Sequence, residues 1–264
     1  MTATLKQSLN PPLKWAGGKR WLVPILRELL GNRTYNRLVE PFVGGMAIAL
    51  GLLPEKALLN DINPHLINFY RWLQRGLKID IPLENDKDCY YQYRDRFNQL
   101  VKAGQSNTKS AAELFYFLNR STYNGLVRFN SKGEFNVPFG QYKTINYTTD
   151  FTNYIPLLKD WVFSCGDFSM LSLEEGDLIY ADPPYDVEFT RYSATDFKWE
   201  DQIRLAEWLA ISKETVIVSN QATERVINLY TRLGFEIKLL DGPRRIACNG
   251  DRKPAKEILA FKGL

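Results

Sequence analysis

The four residues Asp182, Pro183, Pro184 and Tyr185 have the clearest capacity for chemistry in this sequence. They follow an apolar run, GDLIYA, whose composition predicts a strand. Two successive prolines remove two backbone donors and stiffen the turn, which leaves carbonyl oxygens as acceptors. The Asp182 carboxylate and the Pro183 carbonyl could together accept both hydrogens of an exocyclic amine, and Tyr185 could stack on the attached ring. The motif therefore predicts a site for a ring that carries an amino group.

A second group of residues is typical of a nucleoside site. The segment EPFVGG, residues 40–45, follows a predicted strand, and Asp61 ends the next strand, 17 residues after Gly44. Open α/β sheets bind ligands at the carboxyl ends of their strands, and an acid there can accept hydrogen bonds from a ribose diol. The G-x-G-x-x-G motif of dinucleotide-binding proteins is absent. Two interpretations stay open on these residues alone: a nucleoside-cofactor site, or a tight turn with an Asp that caps a helix.

The segment KWAGGKR, residues 14–20, places two glycines and Lys19 before a predicted helix. It is not a phosphate-binding P-loop, because the spacing before Lys19 differs and no Ser or Thr follows. Two interpretations are open here as well. The segment is either a structural turn or a loop that holds a carboxylate through Lys19.

The cysteine and histidine content removes several classes of chemistry. The 264-residue chain has three widely spaced cysteines without a Cys-x-x-Cys pair, which argues against a disulfide framework and a zinc cluster. Its single histidine, His65, would have to carry any His-based metal site or Ser-His-Asp triad alone. No apolar run approaches the roughly 20 residues of a membrane span, and the first residues lack the apolar segment of a signal peptide. We therefore expect a cytoplasmic protein with no metal and no membrane partner.

The candidate residues follow strands in an alternating α/β pattern. The pattern predicts helices at 20–30, 46–53, 65–74, 88–102, 110–119, 199–210 and 222–232. It predicts strands at 37–43, 56–61, 215–219, 235–240 and 256–262, together with WVFSCGDF from residue 161 and GDLIYA from residue 176. Because strands and helices alternate, the sequence predicts a doubly wound α/β sheet.

Between about residue 83 and residue 150 this alternation gives way to a polar, aromatic and basic segment. Residues 86–143 include nine Lys and Arg against five Asp and Glu, a net charge of +4 that equals the formal charge of the whole chain. Cations interleaved with aromatic side chains suit contacts with phosphates and stacking on bases. We interpret the segment as an inserted subdomain that faces an anionic partner.

Five motifs occur in one order: KWAGGK at 14, EPFVGG at 40, NDIN at 60, NRxxYNGLxRxNxxGEFNVPFGxYK at 119–143 and DPPY at 182. With the closing RKPAKEILAF at 252–261, the chain resembles the Dam-type DNA adenine-N6 methyltransferases, the α-group or D12 class, over nearly its whole length. The resemblance implies a mixed seven-stranded, Rossmann-like sheet, S-adenosylmethionine as cofactor and double-stranded DNA as substrate, in a bacterial or phage-infected cell. It also implies a mainly helical target-recognition subdomain at 81–150, inserted into a catalytic domain formed by 1–80 and 151–264. We favour a monomer.

The resemblance assigns roles around the predicted cofactor. The cofactor-binding residues that it implies are Trp15, Lys19, Phe42, Gly44, Asp61, Asp167 and Asp182. Trp15 and Lys19 would contact the methionine part, and residues 42–45 would form the wall beneath. Asp61 would hold the ribose hydroxyls and Asp167 the adenine amine. The catalytic residues, Asp182, Pro183, Pro184 and Tyr185, would hold a flipped target adenine beside the methyl group.

The resemblance further implies that the stretch around YNGLVRFN reads GATC. The implied DNA-binding residues are Lys14, Arg120, Tyr123, Asn124, Leu126, Arg128, Asn130 and Pro138. Arg128 would donate two hydrogen bonds to guanine, and Tyr123 would wedge into the gap left by the flipped base. Leu126 and Pro138 would touch thymine methyls, and Asn130 would make an outer contact. On the residues alone, Arg128 could instead contact a phosphate and Tyr123 could be a buried turn aromatic.

Other functions use part of the same chemistry. A cytosine-N4 methyltransferase would act on a similar amine, but the Asp that opens DPPY and the adenine-type recognition stretch argue against it. A catalytically silent DNA-binding regulator would not need both Asp182 and Asp61. A methyltransferase that acts on RNA or protein would not need residues that resemble a GATC reader.

Overall fold

Seven strands form one mixed sheet within the residues that the computed structural model describes, which are 9–185, 197–242 and 255–264. The strands are β1 (Arg37–Glu40), β2 (Ala57–Asp61), β3 (Trp161–Cys165), β4 (Asp177–Ala181), β5 (Thr215–Gln221), β6 (Glu236–Gly242) and β7 (Ala255–Lys262). Their order across the sheet is β3-β2-β1-β4-β5-β7-β6. The first five are parallel, and β7 runs antiparallel between β5 and β6. The predicted doubly wound, mixed seven-stranded sheet is confirmed.

Most of the described helices begin where the sequence offers a capping residue or a proline. They are α1 (Val23–Leu30), α2 (Ala47–Leu52), α3 (Pro64–Gln74), α4 (Lys87–Lys102), α5 (Lys109–Ser121), α6 (Ile155–Leu158), α7 (Trp199–Ala210) and α8 (Glu224–Arg232). The side chains of Asn63, Asp86, Thr108 and Thr223 accept hydrogen bonds from the first turns of α3, α4, α5 and α8. These are preferred N-cap residues, because their oxygen satisfies a backbone N–H that the helix itself leaves open. The seven helices predicted by the sequence are all present, with ends that differ by a few residues.

Helices cover both faces of the sheet, which explains why the residues of its central strands are mostly buried. On one face α1, α2 and α3 pack over Leu38, and on the other face α7 and α8 pack over Val39. Adjacent strand residues point to opposite faces, so β1 contributes to both cores. Because β1 pairs in parallel with β4, the ends of these strands, at Glu40 and Ala181, open side by side at one edge of the sheet.

Several predicted strands have ends that differ by one to three residues in the structure, and two of these differences have a clear cause. The strand predicted at 37–43 stops at Glu40, because Pro41 has no N–H to donate to a neighbouring strand. The strand predicted at 215–219 continues to Gln221, because β7 pairs with it as far as Glu257. The apolar run before DPPY ends at Ala181, as predicted.

The predicted insert shares its core with the sheet domain. In α3, Phe69 stacks on Tyr116 of α5 with their ring centroids 5.9 Å apart, and α4 packs against α5. Residues 122–150 contain turns and isolated bridges, one of which joins Phe129 to Phe135 and closes a hairpin. The helical part of the insert therefore consists of α4, α5 and a single 3-10 turn at Tyr123–Gly125. Its assignment as a recognition subdomain stays a prediction.

Part of the closing motif RKPAKEILAF, residues 252–254, lies outside the described residues, and the rest of it forms β7. None of the helices in the described part of the chain is long and apolar enough to cross a membrane.

Candidate active site

A cavity of about 710 Å³ lies at the carboxyl ends of β1, β2 and β4. This is the edge at which open α/β sheets bind ligands. Every predicted cofactor-binding and catalytic residue lines it: Trp15, Lys19, Phe42, Gly44, Asp61, Asp167, Asp182, Pro183, Pro184 and Tyr185. Of the predicted DNA-binding residues, Arg128 also lines the cavity. Motifs that are far apart in the chain therefore meet at one site.

The glycine loop after β1 is shaped by Trp15. A Cβ atom placed on Gly44 or on Gly45 would lie 2.8 Å from an atom of the Trp15 side chain, so only glycine permits this contact. Gly44 also has a positive φ of 44°, which glycine adopts readily. The close approach at these glycines is thus made by the protein's own tryptophan, which forms part of the cavity wall.

Asp61 ties this loop to β2. Its Oδ2 atom accepts a hydrogen bond from the Gly44 N–H at 3.1 Å, and its Oδ1 atom accepts one from the Asn63 N–H at 2.9 Å. The N-cap of α3 is Asn63, so the interpretation of Asp61 as a helix cap is wrong. Each carboxylate oxygen can accept a second hydrogen bond. Burial raises the pKa of Asp61, while the backbone N–H groups of Asn63, Gly44 and Ile62 act in the opposite direction.

Asp182 is held from two sides at the end of β4. Its Oδ1 atom accepts a hydrogen bond from the Ser219 hydroxyl at 2.8 Å and lies 3.4 Å from the Lys19 Nζ atom. Because Ser219 has one hydroxyl hydrogen, its bond of 2.8 Å with Tyr180 must be donated by the tyrosine. Burial raises the pKa of Asp182 to about 6, although Lys19 and Ser219 favour the charged form.

Lys19 is 4% exposed and lies between two carboxylates. Its Nζ atom is 3.5 Å from Glu257 Oε2 on β7, in addition to its contact with Asp182. Both carboxylates that Lys19 contacts belong to the protein itself. A buried ammonium group requires such partners, because charge away from water is costly when unpaired.

The DPPY turn has further fixed contacts. The Tyr185 hydroxyl donates to Glu257 Oε2 at 2.8 Å, and the Lys19 Nζ atom lies 4.5 Å from the Tyr185 ring centroid. The Gln202 amide on α7 donates to the Pro184 carbonyl at 2.7 Å. The side chain of Gln202 in turn accepts a hydrogen bond from Asn220 at 3.0 Å. Two amide side chains, Gln202 and Asn220, therefore hold the Pro184 carbonyl through consecutive hydrogen bonds.

Asp167 faces the cavity but is already charge-paired. Both of its carboxylate oxygens accept hydrogen bonds from Arg204 of α7, at 2.7 and 2.8 Å, and Ser169 donates a further one. The Arg204 guanidinium holds the pKa of Asp167 far below its usual value. A ligand amine at this carboxylate would share it with Arg204. Nearby, Phe42 lies 5.7 Å from Phe168, ring centroid to ring centroid, and gives the wall an aromatic face.

We define residues 119–143 as the recognition stretch. The predicted DNA-binding residues within it have different surroundings. Tyr123 is 53% exposed, so the interpretation of it as a buried turn aromatic is wrong. The Arg128 Nε atom donates to Asn136 Oδ1 at 2.8 Å. The Asn130 Oδ1 atom accepts hydrogen bonds from the backbone N–H groups of Lys132 and Glu134, at 2.9 and 3.0 Å, and so organises the hairpin turn.

The other predicted DNA-binding residues are also in or beside this stretch. Asn124 adopts a left-handed conformation with φ of 53°, and Leu126 is half-buried against the core. The Pro138 carbonyl accepts a hydrogen bond from the Tyr123 N–H at 3.0 Å. The Arg120 guanidinium donates to the Asn146 carbonyl at 2.7 Å. None of these contacts tests the predicted roles in DNA binding.

Lys14 links the segment before α1 to the recognition stretch. Its backbone N–H and carbonyl form a pair of hydrogen bonds with the Asn119 side chain, at 2.9 and 2.8 Å. Its Nζ atom donates to the Arg120 carbonyl at 2.9 Å and lies 3.7 Å from the Tyr142 ring centroid. Burial, with a smaller effect of Arg120, lowers the pKa of Lys14 to about 8.

The sequence interpretation missed several residues that shape the site. Glu40 is buried at the end of β1 and lines the cavity, and within the described residues its Oε1 atom has no hydrogen-bond partner. Burial raises the pKa of Glu40 well above its usual value. An acid in an otherwise apolar strand was the available signal, both for Glu40 in RLVE and for Glu257 in KEILAF. Arg204 and Gln202 gave no such signal, because they lie on an ordinary amphipathic helix.

Within residues 9–185, 197–242 and 255–264, no group of three His, Cys, Asp or Glu side chains is arranged to hold a metal ion. The single histidine, His65, stacks on Phe129 with ring centroids 4.8 Å apart, and burial lowers its pKa to about 4. His65 is therefore neutral at physiological pH.

Comparison with known proteins identifies the class. Residues 15–246 match the family described as D12 class N6 adenine-specific DNA methyltransferase. Because this match covers most of the chain, the protein belongs to that family, and it is an adenine-specific DNA methyltransferase.

Three relatives illustrate the range of this similarity. The DNA N-6-adenine-methyltransferase of Escherichia phage P1 is 37% identical over 268 residues, which cover 94% of this chain and 35% of that protein. This chain thus spans about a third of the length of the phage protein. The Type II methyltransferase M.MjaIII of Methanocaldococcus jannaschii is 34% identical, with 93% of this chain and 95% of that protein covered. The DNA adenine methylase of Escherichia coli K12 is 33% identical, with 94% of each chain covered.

Proposed function

We propose that the protein transfers the methyl group of S-adenosylmethionine to adenine N6 at GATC in double-stranded DNA, with the target base flipped out of the helix. The observation that carries this proposal is the position of the Asp182 carboxylate, in one cavity with Asp61 and with the hairpin that contains Arg128. A target base and a cofactor must meet in one place for direct transfer, and this cavity borders both predicted binding regions.

The cavity residues fit S-adenosylmethionine. The Asp61 carboxylate retains acceptor capacity for a ribose diol, and Phe42 offers an aromatic face to an adenine ring. Glu40, with its buried and unpaired Oε1 atom in the described part of the chain, suits a ligand with positive charge. S-adenosylmethionine, when bound, supplies a methyl group made electrophilic by a positively charged sulfur atom.

Asp182 and the Pro183 carbonyl would activate the adenine amine. The lone pair of that amine is delocalised into the ring, which makes it a poor nucleophile. Two acceptors on its hydrogens favour a tetrahedral nitrogen and free the lone pair. Ser219 and Lys19 hold the Asp182 carboxylate in one orientation, so the site contributes positioning and electrostatics. Asp182 is also placed to take the proton that the amine loses after it gains the methyl group.

The recognition stretch would bind the duplex around the extruded base. Adenine N6 is inaccessible to an active site while the base is stacked, so the base must leave the helix. Exposed Tyr123 supports a role in filling the resulting gap. Arg128, half-buried on the hairpin that borders the cavity, supports a role in reading guanine.

The test is methylation of short duplexes by the purified protein. We expect S-adenosylmethionine-dependent formation of N6-methyladenine, identified by mass spectrometry of the released nucleosides, in a GATC duplex. A duplex with every GATC altered at the first base should react far more slowly. Formation of N4-methylcytosine, or equal rates on both duplexes, would contradict the proposal, and Asp182→Ala protein controls for contaminating enzymes.

A further inference from the structure

We propose that Glu257, on the antiparallel strand β7, is a positioning residue for the active site, which it serves by holding the Tyr185 hydroxyl and the Lys19 ammonium. The inference rests on the proposed function, because it assigns the role of Glu257 in that same reaction. Its basis is a set of contacts between β7 and the two motifs KWAGGK and DPPY.

Glu257 lies on β7, which is separated from β4 and the DPPY turn by strand β5. It pairs with Gln221 of β5 on one side and with Leu240 of β6 on the other. Its side chain is nevertheless almost entirely buried, with 7% exposure for the residue. A Cβ atom on Gly242 would lie 2.6 Å from Glu257 Oε1, so glycine at 242 leaves the space that this carboxylate occupies.

One carboxylate oxygen makes both contacts. Glu257 Oε2 accepts a hydrogen bond from the Tyr185 hydroxyl at 2.8 Å and lies 3.5 Å from the Lys19 Nζ atom. The Lys19 Nζ atom is in turn 3.4 Å from Asp182 Oδ1 and 4.5 Å from the Tyr185 ring centroid. Glu257 therefore fixes the ring predicted to stack on the target base and the cation that faces the catalytic carboxylate.

Such an arrangement has an electrostatic consequence for Asp182. The charged or titratable side chains around it are Lys19, Glu40, Tyr180, Tyr185 and Glu257. Lys19 is shared between two carboxylates, so it neutralises Asp182 less than an exclusive partner would. The negative charge of Glu257 also acts directly on Asp182 and raises its pKa. Removal of the Glu257 charge should therefore favour the ionised form of Asp182.

The main test compares Glu257→Gln with the wild-type protein in steady-state methylation of a GATC duplex. The amide keeps the size of the side chain and loses its charge. We expect kcat to fall about tenfold, the size of effect that loss of a hydrogen bond with a charged acceptor produces. We expect the Kd for DNA to remain unchanged. The acid limb of kcat/KM against pH should move to lower pH, because the pKa of Asp182 falls.

Asp241→Asn is the matched control. Asp241 lies on the neighbouring strand β6 in an exposed ion pair with Lys256, so this variant makes the same chemical change away from the cavity. It should retain wild-type kcat and the wild-type pH profile. If Glu257→Gln behaves like Asp241→Asn, or if its kcat falls with no movement of the acid limb, Glu257 is not a positioning residue.

Tyr185→Phe tests the hydrogen bond separately and covers the case in which Glu257→Gln does not fold. It removes only the hydroxyl, so we expect a lower kcat with an acid limb close to that of the wild type. In the double variant Tyr185→Phe/Glu257→Gln the loss should be smaller than the product of the two single losses, because both changes break one contact. Independent losses, or a Tyr185→Phe variant as active as the wild type, would overturn the inference. A wild-type protein without methyl transfer would instead refute the proposed function itself.

Discussion

The end of the sheet and the recognition stretch form two walls of one cavity, and they differ in how their side chains are held and exposed. At the sheet end, Asp182 is held by residues from other elements, among them Ser219 of β5 and Lys19 of the segment before α1. In the recognition stretch, Asn130 holds its own hairpin turn, Asn98 of α4 anchors the hairpin backbone at Phe135, and Tyr123 is exposed.

This difference separates two kinds of function. A side chain held by several distant elements cannot change its position without cost, which suits the alignment of reacting atoms. An exposed side chain such as Tyr123 is available to contact a duplex. We therefore expect substitutions at the sheet end to change turnover and cofactor binding, and substitutions in the recognition stretch to change the choice of DNA sequence.

The largest effect should come from Asp182→Ala. The variant loses one of the two acceptors for the amine, so we expect turnover to fall by about 10²–10³, as when one preorganised group is removed from a transition-state site. DNA affinity should stay close to wild type. Single-turnover methylation and fluorescence anisotropy with a labelled duplex measure the two quantities. Near-normal turnover would show that the sheet end does not perform the chemistry.

Asp61→Ala should mainly weaken cofactor binding. Hydrogen bonds to a charged group contribute about 1.5–3 kcal/mol each, so the loss of two should raise the cofactor Kd about a hundredfold or more. Calorimetric titration of the free protein with S-adenosylmethionine measures this change. The same preparation should bind a GATC duplex normally. Unchanged cofactor affinity would remove Asp61 from the binding site.

Arg128→Ala should affect sequence choice and leave cofactor affinity unchanged. A bidentate Arg–guanine contact contributes about 1–3 kcal/mol of discrimination, so preference for GATC over AATC, TATC and CATC duplexes should largely disappear. Lys132→Ala serves as the control, because Lys132 is an exposed cation on the same hairpin. A phosphate contact at Lys132 would weaken all sequences alike. If Arg128→Ala slows all four duplexes by the same factor, Arg128 contacts the backbone instead.

The smallest predicted effect concerns stability. The folded-state pKa of Asp182, about 6, lies above its ordinary value of 3.8. A raised carboxyl pKa means that the folded state binds a proton more tightly, so Asp182 reduces stability increasingly as the pH rises from 3.8 to about 6, and by a constant amount at higher pH. Asp182→Asn should therefore stabilise the protein by about 2 kcal/mol more at pH 8 than at pH 4. Urea unfolding at both pH values measures the difference, and a pH-independent effect would contradict it.

Local patterns predicted the strands of the sheet, and the family resemblance supplied further residues that line the cavity, such as Trp15 and Asp167. Apolar runs that end in Asp61 or in DPPY predicted strands with ligand-binding ends, and the parallel sheet then brought them to one edge. The contact between Asp167 and Arg204 could not be predicted, because it depends on how α7 packs against the turn after β3. Nor could the place of β7, since nothing in its own composition specifies insertion between β5 and β6.

Strand β7 has a consequence for the order of events during synthesis. Strand β6 leaves the ribosome before β7, yet in the finished sheet β7 lies between β5 and β6. Until β7 is made, β5 is paired with β4 on one side only and has an open edge on the other. An open strand edge is a template for pairing with other chains. Premature pairing of β6 with β5 would exclude β7. The edge of β5 must therefore stay unpaired until β7 is made. Misassembly or capture by a chaperone is expected at this edge.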